Sequence, residues 1–86
     1  MRVLVKDVMS SPVLTIDVTK TALDAGKLMR KHRRGFLVVT RRNRPVGVIS
    51  DSDLINKIIC KNVKPGKVRV ENMMNEPVIS VDPEDD

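Results

Sequence analysis

Apolar positions follow two rhythms along this chain. Residues 13–16, 36–40 and 46–50 are short runs rich in β-branched and aliphatic side chains, bounded by turn formers, and read as strands. Between the first two runs, Ala22, Ala25, Leu28, Met29 and His32 recur at helical spacing. Thr21 precedes them with Asp24 three residues on, the pattern of a capping box. Arg33 and Arg34 suit the helix C-terminus, and Gly35 suits the left-handed residue that closes it. His32 is expected to pack at that end. Residues 41–45 (Arg-Arg-Asn-Arg-Pro) read as a turn, so the strands on either side form a hairpin. A second helix opens at Ser50 or Asp51 and buries Leu54, Ile55, Ile58 and Ile59. Residues 62–66 form a loop, and residues 67–70 are expected to extend against the sheet. Residues 3–9 form a leading segment that ends in a helical turn, interrupted by Ser10-Ser11-Pro12. The predicted order is β-α-β-β-α, a small α/β (α+β) unit with two helices on one face of a mixed sheet.

The leading segment is echoed near the other end. Asp7-Val8-Met9-Ser10-Ser11-Pro12-Val13-Leu14-Thr15-Ile16-Asp17 returns 65 residues later as Asn72-Met73-Met74-Asn75-Glu76-Pro77-Val78-Ile79-Ser80-Val81-Asp82. Met, Pro, Val and Asp recur unchanged, and Leu/Ile, Thr/Ser and Ile/Val recur conservatively. The echo points to a unit of about 60 residues meant to appear twice. Residues 1–66 hold one whole unit; residues 67–86 hold a linker and the start of a second, cut off after its first strand. Either the chain is part of a longer one, or one unit suffices when two chains pair.

Composition narrows the picture. With 86 residues and Phe36 the only aromatic, the core must come from Val, Ile, Leu and Met. A chain this short buries only about 60% of its unfolded surface, so burial against a second copy is expected. No apolar run reaches the roughly 18 residues of a membrane span, and residues 1–9 lack the continuous apolar stretch of a signal peptide. Cys60 stands alone, which suits a reducing, cytoplasmic compartment. One Cys and one His give no zinc pattern. The net charge of +5 is unevenly spread. Residues 1–70 carry all 16 Lys and Arg against five acids, whereas residues 71–86 carry six acids and no base. A body this basic favours an anionic partner; a solvated surface offset by an acidic tail is the plainer alternative.

Several stretches together carry a resemblance. They are Val5-Lys6-Asp7-Val8-Met9-Ser10-Ser11-Pro12-Val13-Leu14-Thr15-Ile16, Ala25-Gly26-Lys27-Leu28-Met29, Phe36-Leu37-Val38-Val39-Thr40, and Pro45-Val46-Gly47-Val48-Ile49-Ser50-Asp51-Ser52-Asp53-Leu54. In this order and at this spacing they resemble the CBS (cystathionine beta-synthase) domain family over nearly the whole chain. The resemblance implies tandem or paired copies and a cleft between them that takes AMP, ADP, ATP or S-adenosylmethionine. It also implies a regulatory role toward an enzyme, channel or transporter. Family members often have Pro where this chain has Leu37, a change a strand tolerates. Since half of each cleft comes from a second copy, a homodimer or higher homo-oligomer is implied, with two-fold pairing giving two equivalent clefts.

The resemblance assigns site residues one by one. Gly47-Val48-Ile49-Ser50-Asp51-Ser52-Asp53 looks like the family's ligand motif. A carboxylate at Asp53 can accept from both vicinal hydroxyls of a ribose, and the Ser50 hydroxyl can meet a phosphate or ribose oxygen. Free N–H groups where the helix begins suit a phosphate. Ser50-x-x-Asp53 is equally a capping box, and the two roles are compatible. Arg33 and Arg34 map near the ligand phosphates, with a dipole partner on a solvated surface as the alternative. Ser11 and Val13 map to the lip that holds adenine, and Val48 to the opposite apolar wall. Gly47 lets backbone pass close to a neighbour.

Other function classes fit less well. Lys27, Arg30, Lys31, Arg33, Arg34, Arg41, Arg42 and Arg44 could form a strip for weak, sequence-independent nucleic-acid binding, but no aromatic platform or helix-turn-helix pattern accompanies them. A structural dimerisation unit is the main alternative to a nucleotide sensor. No nucleophile with a partner base, metal spacing or phosphate loop suggests an enzyme.

Overall fold

The computed structural model describes residues 13–76. Strand β1 (Thr15–Asp17) leads to helix α1 (Ala22–His32), and strands β2 (Phe36–Arg41) and β3 (Arg44–Ser50) follow. Helix α2 then runs as an α-helical turn (Asp51–Leu54) that widens into a π-helical stretch (Ile55–Ile59). Short 3₁₀ turns lie at Pro65–Lys67 and Val70–Asn72. The sheet order is β1-β2-β3, with β1 parallel and β3 antiparallel to β2. This is the predicted β-α-β-β-α order. The leading segment, including Ser11, lies outside the described residues.

Local chemistry sets each element. Thr21 caps α1, accepting from the Asp24 amide while the Asp24 carboxylate accepts from the Thr21 N–H. The left-handed closing residue is Arg33 (φ 53°), not Gly35. The Arg34 N–H donates to Met29 O, so the helix closes two residues before the glycine. His32 is exposed rather than packed. The β2–β3 turn is tighter than expected. Arg42 and Asn43 both have positive φ, giving a two-residue turn whose twist matches the strands, so β3 begins at Arg44 and includes Pro45. Strand β1 starts two residues later and ends one residue later than its sequence pattern suggests, since pairing with β2 starts at Thr15↔Val38.

The core lies between the helices and one face of the sheet. Ile16, Leu37, Val39 and Ile49 meet Ala22, Ala25 and Met29 of α1 and Ile58 of α2. The alternate residues Val38 and Val48 are also buried but lie on the other face. Two expectations fail in α2 and beyond. Leu54 and Ile58 pack inward, while Ile55 and Ile59 are 49% and 68% exposed. Each follows an inward residue by one position, which turns it away from the core. Residues 67–70 do not join the sheet. They run antiparallel to the approach to α1, with Ala22 N–H donating to Val68 O (2.8 Å) and Val70 N–H to Lys20 O (2.8 Å).

Candidate functional site

The strand register gathers the expected site residues at one end of the sheet. Phe36 pairs with Ser50, so the residues just before β2 and just after β3 are neighbours. The Asp51 N–H donates to Gly35 O (3.0 Å), which ties the Arg33-Arg34-Gly35 corner to the start of α2. Because β1 runs parallel to β2, the half-buried Val13 reaches the same end. Arg33 and Arg34 are both exposed there. Val48 is different: it sits two residues inside β3 and is 2% exposed.

Ser50 and Asp53 form the reciprocal cap that the sequence suggests. Asp53 N–H donates to Ser50 Oγ (3.3 Å), and Asp53 Oδ2 accepts from Ser50 N–H (2.8 Å) and from the Ser50 hydroxyl (2.9 Å). Unlike the matching Asp24 on α1, Asp53 is buried, at 9% exposure. Burial pushes its carboxyl upward. Hydrogen bonds from the Asn75 amide and from the Ser50 N–H and hydroxyl, with the Lys57 ammonium nearby, outweigh it and hold the pKa below the ordinary value of 3.8. The group is therefore a charged acceptor at neutral pH.

Two further partners lie outside the Ser50–Asp53 motif. Asn75 Nδ2 donates to Asp53 Oδ2 (2.8 Å). Lys57 Nζ lies 3.4 Å from Asp53 Oδ1 and donates to Met73 O (2.8 Å) and Asn75 Oδ1 (3.2 Å). Lys57 stands four residues after Asp53, one helical turn on, a spacing that could have flagged it. Asn75 is 22 residues away, and only the sheet brings it in: Asn75 and Val48 exchange two backbone hydrogen bonds of 2.8 Å each. This explains Gly47. A Cβ there would sit 2.6 Å from Met74 Sδ and 3.0 Å from Asn75 O, too close for any other residue without movement.

Elsewhere, a groove of about 580 Å³ runs between α1 and α2, lined by Leu23, Gly26, Leu54, Ile58, Ile59 and Val63 among others. It does not reach Ser50 or Asp53. Among the described residues no group of three or more His, Cys, Asp or Glu could hold a metal ion, and no helix is long and apolar enough to cross a membrane.

Comparison with known proteins agrees with this architecture. The chain is 33% identical over 79 residues to protein MK0525 of Methanopyrus kandleri, covering 91% of this chain and 40% of that one. It is 27% identical over 79 residues to the CBS domain-containing protein YhcV of Bacillus subtilis, covering 92% and 56%. The chain thus spans about half the length of these relatives. Among solved structures, the CBS domain protein TA0289 of Thermoplasma acidophilum superposes with a TM-score of 0.71 at 32% identity, over 90% of this chain and 44% of that one. The hexameric CBS-CP12 protein of bloom-forming cyanobacteria gives a TM-score of 0.72 at 27% identity, over 87% and 44%. The family's own sequence model, described as the CBS domain, matches residues 5–60, and with the fold and these relatives in agreement the chain belongs to the CBS domain family.

Proposed function

We propose that this chain is a non-catalytic regulatory module that binds an adenosine-containing nucleotide (AMP, ADP, ATP or S-adenosylmethionine) between paired CBS motifs. Residues 1–66 form one motif, and residues 67–86 form a linker and the start of another. In this reading Asp53 accepts from the ribose hydroxyls, Ser50 meets a ribose or phosphate oxygen, and Arg33 or Arg34 meets the phosphates. Ser11 and Val13 flank the adenine, and Val48, buried within β3, backs the opposite apolar wall.

One observation carries the reading. The Phe36↔Ser50 pairing and the Gly35–Asp51 hydrogen bond bring the exposed Arg33-Arg34 corner to the end of the sheet where Ser50 and the buried, ionised Asp53 open α2. Those groups complement the phosphate and the ribose of one nucleotide. The groove between the helices lies elsewhere, which fits a binding cleft completed by a second copy. The exposed apolar side chains Leu23, Ile55, Ile59 and Val63 support pairing through the helices, in a homodimer or higher homo-oligomer.

Ligand that binds only the folded assembly must raise its stability by RT ln(1 + [L]/Kd). Thermal melting with millimolar AMP, ATP and S-adenosylmethionine is therefore expected to show an upward shift with at least one of them. An unchanged transition with all three overturns the proposal.

A further inference from the structure

The two oxygens of the Asp53 carboxylate are used differently. Oδ2 accepts from Ser50 N–H (2.8 Å), the Ser50 hydroxyl (2.9 Å) and Asn75 Nδ2 (2.8 Å), and so has no acceptor position left. Among the described residues the neighbour of Oδ1 is Lys57 Nζ, at 3.4 Å. A charge-assisted hydrogen bond spans about 2.7–2.9 Å, so the ammonium stands beside Oδ1 without filling its acceptor positions. Its other contacts hold it at that distance. Two of the three N–H groups on Nζ go to Met73 O (2.8 Å) and Asn75 Oδ1 (3.2 Å).

We infer that Lys57 is a positioning residue for the ribose: it fixes the Asp53 carboxylate with Oδ1 left open to the vicinal hydroxyls, and so sets the selectivity of the site for ribose. The inference rests on Asp53 being the ribose acceptor. Lys57 acts in two ways. It is the counter-charge of a carboxylate whose side chain is only 12% exposed, and theirs is the one ion pair among the described residues. It also orients Asn75. A side-chain amide can turn either its oxygen or its NH2 toward a neighbour. Lys57 donates to the oxygen, which leaves the NH2 for Asp53 Oδ2 and ties the carboxylate down on that side. The distances follow from the backbone. Lys57 stands one helical turn after Asp53, and Asn75 is fixed to Val48 by two backbone hydrogen bonds. Without Lys57 the carboxylate loses its charge partner and Asn75 is free to turn its oxygen toward Asp53, so the open oxygen is no longer held in one place.

The test is calorimetric titration of wild type, Lys57→Met and Lys57→Arg with AMP and with deoxyadenosine monophosphate, which lacks one of the two ribose hydroxyls. Wild type is expected to prefer AMP. Lys57→Met should bind AMP about three- to tenfold more weakly, the scale of one hydrogen bond, and the deoxy probe with little change, so that the preference shrinks. Lys57→Arg, which keeps the charge and the donors, should retain most of it. Should the Met variant fail to fold, Lys57→Gln, which keeps a donor for Met73 O and lacks the charge, is read the same way. A lysine that only staples α2 to residues 73–75 would lower Tm and leave the preference intact. An unchanged preference in Lys57→Met, whether both affinities hold or both fall alike, therefore overturns the role of Lys57 and leaves the ribose assignment standing. If wild type binds neither probe, or binds both equally, the ribose assignment falls and Lys57 with it.

Discussion

Asp53 is the residue on which most of the chemistry turns, and its environment makes a signed prediction about pH. Its folded pKa lies below the ordinary 3.8, and those of Asp17 and Asp24 are lowered as well by bonds from Thr19 and Thr21. A depressed carboxylate contributes stability that is present above the unfolded value and is lost as pH falls through the folded one. Thermal stability is expected to hold from neutral pH to about pH 5 and to fall below about pH 4. Asp53→Asn, followed by melting across that range, should show a shallower acid loss than wild type. Ser50→Ala removes the cap hydroxyl at the same corner and is expected to cost about 1–2 kcal/mol by chemical denaturation. At this scale Ser50, Asp53 and the cationic pair were legible from sequence because each belongs to a local pattern. The partners on Asp53 were not. Asn75 reaches it only through a β-bridge to Val48, and no local spacing encodes a contact made across a sheet.

The elements divide in the same way. Helix α1 and the β2–β3 hairpin were readable because capping, apolar periodicity and turn residues all agree there. The second helix was readable in existence but not in orientation. Its four apolar positions cover more than one face, and only Leu54 and Ile58 pack toward the core. The fate of residues 67–70 was set by open hydrogen-bonding groups ahead of α1, which sequence alone does not display. Gly47 offers a test of the packing between β3 and the segment that follows. In Gly47→Ala the new methyl would meet Met74 Sδ and Asn75 O. We expect destabilisation of about 1–3 kcal/mol, which for a domain of this size lowers Tm by roughly 5–20 °C. A melting curve unchanged by the substitution would show that residues 73–75 yield freely.

On the scale of the whole molecule, a thin core and an exposed apolar face belong together. A small aliphatic unit leaves Leu23, Ile55, Ile59 and Val63 uncovered on its helical side. We expect that side to meet a second copy. Ile59→Glu, at a position 68% exposed, should therefore leave the fold intact while lowering the mass seen by light scattering. A mass unaffected by the charge would move the contact elsewhere. The most direct measurement is calorimetric titration of AMP into wild type and into Asp53→Asn. Saturable binding by wild type, weakened at least about tenfold in Asp53→Asn with the assembly mass unchanged, is the predicted result. Equal affinities in the two proteins would contradict it.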